Sequence, residues 1–280
     1  MSNPNPSGSG FPGVHLRCSI LIAALFLAPF AAMRGQEHDD DHEHGHLHFS
    51  HPLVTESPSP DTKLRFDYLG SRSRDPVGLD ENIFRFEGEY AFTHNISLAI
   101  VAPFISRIAP ATERASALGN VELSLKAASL AFGERGLLLG GGLSAELPTG
   151  SDAKGIGSSH LVELEPFVDA GYKRDELELV AFMTLSSTFR RRAGEEAEHN
   201  LAMDFSALYG VQPRIEALIE VTTERALIGE ESGSQETFVA PGLKVYPFTN
   251  RRLMFGASVA FGTGAVRNTR AVLLSGFYHF

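Results

Sequence analysis

The stretch AVLLSGFYHF, residues 271–280, alternates between two faces without a break. Val272, Leu274, Gly276, Tyr278 and Phe280 fall on one side of an extended chain, and Ala271, Leu273, Ser275, Phe277 and His279 on the other. Period two over this length predicts a β-strand. A strand of about ten residues with aromatics at its end suits a tilted crossing of a bilayer in a closed barrel. In that setting Tyr278 and Phe280 would be the signal read by the barrel-assembly machinery. An edge strand of a soluble β-sandwich has the same period, so the rest of the chain must separate the two.

The pattern recurs upstream. Phe84, Phe86, Gly88, Tyr90 and Phe92 share one face, as do Ile96, Leu98, Ile100, Ala102 and Phe104. Leu201, Met203, Phe205, Ala207 and Tyr209 repeat it, and so do Leu253, Phe255, Ala257, Val259 and Phe261. Residues 61–280 divide in this way into about twelve strands, an even number as single-chain bacterial barrels have. Short connections (near residues 93–95, 133–136, 173–175, 210–213 and 248–251) alternate with longer ones (70–82, 107–119, 149–159, 190–200, 228–236 and 263–268). That sorting predicts short periplasmic turns, longer outer loops and both termini on the periplasmic side. Tyr90, Phe92, Phe104, Tyr172, Phe189, Tyr209, Tyr246, Phe248, Tyr278 and Phe280 lie near strand ends, where interfacial girdles would sit. The expected fold is all-β: an antiparallel transmembrane β-barrel in the outer membrane, with lipid around it.

The opposite faces carry charge. Arg65, Arg85, Glu87, Glu89, Glu122, Lys126, Glu146, Glu163, Glu165, Asp169, Asp204, Glu216, Glu220 and Lys244 are assigned to the lumen, since charge facing lipid at mid-membrane is costly. Glu176 and Arg214 are read the same way. Acidic residues outnumber basic ones there, which favours cations over anions. The alternative is an interior closed by salt bridges.

Composition narrows the classes. A formal charge of −10 argues against a nucleic-acid partner. The single cysteine, Cys18, rules out a disulfide framework or a thiolate metal site. The apolar run ILIAALFLAPFAA, residues 20–32, follows His15 and Arg17 and is short for a bilayer span. It reads as the core of a signal peptide over residues 1–35.

Residues 36–60 read as a disordered tail, first rich in His, Asp and Glu and then punctuated by Pro52, Pro58 and Pro60. Six histidines, His38, His42, His44, His46, His48 and His51, stand among carboxylates. Imidazole suits Zn, Ni, Cu and Co, so the tail is expected to bind such ions loosely, with no cofactor required. No HExxH spacing marks a catalytic metal.

The segments GNVEL (119–123), GGGLSAELPTGSDAKGIGSSH (140–160) and YPFTN (246–250) resemble the outer-membrane barrels grouped with the meta-pathway of phenol degradation. The resemblance spans residues 61–280 and implies a barrel with an uptake or transport role and no catalytic residues. The histidine tail is not part of that pattern and points towards metal rather than an aromatic solute. The function expected is an outer-membrane channel for small solutes, linked to transition-metal handling. Two alternatives remain: a closed structural barrel, and a phospholipase-like hydrolase using Ser158, Ser159, His160, His199 and Asn200, all near outer-loop ends.

Overall fold

The computed structural model describes residues 47–74, 80–108, 114–132, 135–192, 197–229 and 231–280. The signal-peptide reading and His38, His42, His44 and His46 lie outside the described residues.

Among the described residues thirteen strands follow in chain order. They are β1 (Lys63–Ser73), β2 (Asp80–Thr93), β3 (Ile96–Ile108), β4 (Ala115–Leu118), β5 (Val121–Phe132), β6 (Leu137–Leu147) and β7 (Val162–Arg174). The second half holds β8 (Leu177–Arg190), β9 (His199–Gln212), β10 (Ile215–Ile228), β11 (Gln235–Val245), β12 (Leu253–Gly264) and β13 (Thr269–His279). All neighbours are antiparallel, and β1 pairs with both β2 and β13, so the sheet closes on itself. The four-residue β4 pairs with the far half of β3 and continues through Gly119 and Asn120 into β5, which pairs with the near half. Counted as one crossing, β4 and β5 give the twelve-stranded barrel that the alternation predicts.

Each of the twelve crossings is paired on both sides, with β4 alone bonded only to β3, which meets the requirement for crossing a bilayer in strands. The outer face is apolar: Leu125, Val168, Phe205, Leu243 and Leu274 are all exposed there. The parity of β13 is explicit, with Ala271, Leu273, Ser275 and Phe277 buried while Val272, Leu274 and Tyr278 point out. At the seam Lys63 stands opposite His279, so the start of β1 and the end of β13 lie at one end of the barrel. The short turns, such as the one holding Asp175 in the left-handed region at φ 52°, share that end. We call it the terminus end, and the opposite one the loop end.

Three placements differ from the sequence reading. Tyr246 is buried at 6 % exposure and hydrogen-bonds Glu216 at 3.0 Å, so it belongs to the interior and not to a girdle. Glu176 and Arg214 are exposed turn residues just outside β8 and β10, where the alternation was read one residue too far. The largest difference concerns residues 47–60, which the sequence pattern marks as part of a disordered tail. They enter it and pack within the terminus end. Phe49 and Leu53, both fully buried, join a cluster with Ala128, Leu138, Val180, Leu208, Leu218, Tyr246, Met254, Leu273 and Phe277. That cluster draws on β5, β6, β8, β9, β10, β12 and β13, and Lys63 and Lys126 meet Glu56 from the remaining side, so the segment lies inside the ring. Three prolines stiffen it and lower the entropy lost on docking, and two apolar anchors supply the burial.

Candidate channel lumen and its inner segment

The inner segment, residues 47–62, is held by three sets of contacts. The first is apolar and depends on glycine. A Cβ added to Gly171 would stand 2.7 Å from the Phe49 ring, and one added to Gly256 would stand 2.2 Å from Leu53 Cδ2. These inward positions on β7 and β12 are notches for the two anchors.

The second set pairs the segment's backbone with the wall. Glu220 Oε1 accepts the backbone N–H groups of Val54 at 2.9 Å and Thr55 at 3.0 Å, with Ser206 Oγ donating at 2.9 Å. Glu178 Oε2 accepts Ser50 N–H at 2.8 Å and Ser50 Oγ–H at 2.7 Å. Arg65 donates to the Leu53 carbonyl. An extended segment has no ladder of its own, and these side chains satisfy the backbone groups it brings into the interior.

The third set is ionic. Lys63 Nζ lies 3.3 Å from Glu56, 3.1 Å from Glu87 and 2.6 Å from Glu89. Lys126 Nζ lies 2.9 Å from Glu56 and donates to the Ser57 carbonyl at 2.8 Å. Burial alone would raise the Glu56 carboxyl. Lys126 and then Lys63 outweigh it and hold that carboxyl well below the usual carboxylate range.

Of the sixteen charged residues assigned to the lumen by alternation, fourteen face the interior, and Glu176 and Arg214 do not. Arg65 pairs with Asp67 at 2.8 Å, Lys244 with Glu216 at 2.8 Å, and Glu163 accepts Ser186 at 2.8 Å. Asp169 is buried beside Gly140. Towards the loop end a cavity of about 250 Å³ opens above Val54 and Glu56. Nine carboxylates are among its lining residues, including Glu122, Glu146, Glu165, Asp204, Glu224 and Glu236, against the cations Arg85 and Lys126. A space so lined attracts cations and repels anions.

Of the six tail histidines, His48 and His51 fall within the described residues. Both meet Asp61: His48 Nε2 at 3.0 Å and His51 Nε2 at 2.6 Å.

At the loop end, the contacts of Ser158, His160 and Asp152 do not have the geometry of a hydrolytic relay. Ser158 Oγ and Asp152 Oδ2 approach the same ring nitrogen of His160, Nδ1, at 3.1 and 3.0 Å. A base needs one nitrogen for the nucleophile and the other for its orienting carboxylate. His199 instead meets Ser187 at 2.9 Å. The cluster ties down a loop. Ser159 first, and then Ser158 and His160, hydrogen-bond Asp152 and hold its carboxyl below the ordinary range. Asn120 Oδ1 accepts the N–H groups of Gly150 at 3.1 Å and Ser158 at 2.8 Å. Thr149 Oγ1 accepts Val121 N–H at 2.8 Å and donates to the Gly119 carbonyl at 3.0 Å. The segments GNVEL and LPTG…GSS, separate in sequence, are therefore one unit over the β4–β5 break.

No protein-family model and no curated protein matches the chain. Solved structures do. The COG4313 outer membrane channel from Pseudomonas putida F1 is similar at TM-score 0.60 and 13 % identity, covering 79 % of this chain and 96 % of that one. The NanC porin matches at TM-score 0.51 and 8 % identity, covering 77 % of this chain and all of that one. The translocator domain of the autotransporter NalP from Neisseria meningitidis matches at TM-score 0.51 and 10 % identity, covering 78 % and 88 %. At these identities the likeness is one of fold: this chain is built as an outer-membrane β-barrel of the kind that channels and porins use.

Proposed function

We propose that the chain is an outer-membrane channel for small cationic solutes, transition-metal ions among them, whose own residues 47–62 narrow the periplasmic mouth. The observation that carries this is the cavity above the inner segment, with nine lining carboxylates against two cations. The terminus end is taken as periplasmic because it holds the short turns, the usual arrangement in bacterial barrels. Metal joins the reading through the histidine-rich stretch, which would concentrate such ions at the inner mouth. The resemblance to the barrels grouped with phenol degradation supports transport in general and not an aromatic cargo.

Planar-bilayer recording tests this directly. The full-length barrel should pass small currents, and a variant lacking residues 47–60 larger ones. In a KCl gradient the reversal potential should show cation preference in both. Anion preference would overturn the cationic reading. Absence of current even without the segment would favour a closed structural barrel.

A further inference from the structure

Two groups of carboxylate or imidazole side chains among the described residues are close enough to share an ion. One, Glu56, Glu87 and Glu89, is already filled by the Lys63 ammonium, which touches all three. The other is His48, His51 and Asp61, where one donor atom from each residue lies within 4.8 Å of the others. It holds no ammonium among its three donor atoms, and its chemistry is different. Two imidazoles and one carboxylate form the donor set that zinc and its neighbours take, with a further position left for water or another donor.

The setting is built rather than incidental. The His51 side chain is 2 % exposed and that of Asp61 15 %, while His48 is 57 % exposed. The group therefore has a buried floor and one open side through which an ion could enter. His51 is fixed on that floor by the Phe277 ring, stacked at 5.8 Å, and by His279 at 5.1 Å. Metal bonds of about 2.0–2.1 Å in a tetrahedral site place ligand atoms roughly 3.3 Å apart. The present separations from Asp61 are 2.6 Å for His51 and 3.0 Å for His48, so the pairs need to open by about 0.7 and 0.3 Å. The exposed His48 can supply the smaller opening, and the larger one falls to Asp61, which is less tightly enclosed than His51.

We propose that His48, His51 and Asp61 bind a divalent transition-metal ion at the terminus end, and that the ion staples the inner segment closed on itself. The ligands lie at the two ends of the docked loop, 48–51 and 61, with the anchors Phe49 and Leu53 and the ion-paired Glu56 on the stretch they bracket. An ion shared by both ends would hold that loop in its seat. Lys63 Nζ lies 3.3 Å from His51 Nδ1, which leaves the imidazole proton on Nε2 towards Asp61. Binding an ion at Nε2 moves that proton to Nδ1 and ends the Lys63 contact, and Lys63 keeps its three carboxylates. No net proton is lost from a neutral His51. The inference rests on the metal part of the proposed function and is independent of whether the pore conducts.

The test uses the full chain, refolded in detergent, with His38, His42, His44 and His46 replaced by Asn so that only this site can answer. Zinc titration by calorimetry should give one site per chain, and cobalt should give a tetrahedral visible spectrum. Asp61→Asn should weaken zinc at least about tenfold, as loss of one ligand of three implies. Zinc should also slow proteolysis of residues 47–62 in the parent and not in Asp61→Asn. If Asp61→Asn does not fold, judged by heat-modifiable gel migration, the exposed His48→Gln takes its place. No zinc binding by the parent, or equal binding by parent and variant, overturns the site. A bilayer result against conduction leaves it standing, so the two failures are distinguishable.

Discussion

The Phe49 ring occupies the space that a side chain at Gly171 would need, with three ring atoms 2.7–2.8 Å from where its Cβ would be. A methyl group there and the seated ring cannot coexist. Gly171→Ala should therefore unseat the inner segment while leaving the strand ladder of β7 intact. The expected result is faster proteolysis within residues 47–62 and a larger single-channel conductance, with unchanged heat-modifiable migration. Phe49→Ala should give the same phenotype, since truncating a buried Phe costs about 3–5 kcal/mol. An unchanged conductance in both variants would mean that the segment does not limit the pore.

Glu220 distinguishes charge from hydrogen bonding. Its Oε1 receives two backbone N–H groups from the segment. Gln keeps an acceptor oxygen and should leave the segment seated. Ala orphans both donors, at about 1–3 kcal/mol for each buried group left unsatisfied, and should raise the open fraction strongly. Bilayer recordings of the two variants side by side check this. Equal behaviour would assign the effect to lost negative charge.

The seat should also respond to acid. Glu56 is held well below the usual carboxylate range by Lys126 and Lys63 in the docked state, against the opposing effect of burial. A depressed carboxylate contributes stability that is present above its unfolded value, about pH 4, and is lost as pH falls from there towards its folded value. Conductance should stay low and flat from pH 7 to roughly 5 and rise below about 4. Glu56→Gln should already be partly open at pH 7 and lose most of that rise. A wild-type curve retained in Glu56→Gln would place the titrating group elsewhere.

The loop around Asp152 should behave similarly at its own carboxylate. Asp152 is held below the ordinary range, chiefly by hydrogen bonds from Ser159. The loop order it confers is therefore present above about pH 4 and declines as the pH falls below it. Asp152→Asn should increase cleavage within residues 150–159 at pH 7, and Thr149→Val should do so too by removing the bridge between Val121 and Gly119. Limited proteolysis followed by mass spectrometry reads both. Protection equal to wild type would show the loop to be held by its other contacts, those of Asn120, Arg107 and Lys154.

The barrel wall was legible because lipid and lumen impose period two, and a charge placed on the wrong face is costly. That is why Glu87, Asp204 and Lys244 could be assigned from parity alone. The inner segment was not legible. Its anchors, Phe49 and Leu53, are isolated among polar residues and prolines and carry no period. The receiving surface did leave a trace. Leu138, Val180, Leu208, Leu218 and Met254 share parity with the lumen charges yet are apolar, and each lies near the terminus end of its strand. Apolar inward positions gathered at one end of a polar barrel imply an occupant. The meeting of His48 with Asp61, thirteen residues apart, depends on how the docked segment turns, which no sequence pattern encodes.

The docked segment draws its bonds from side chains of the wall, and at the seam β1 and β13 are paired along their full length without it. Withdrawal would therefore leave every rung of the cylinder in place. The wall can be as durable as an outer membrane demands while the occupant of its mouth is held by contacts of its own, separate from the ladder. A single chain can in this way combine a rigid container with a stopper whose grip is set by a handful of substitutable contacts.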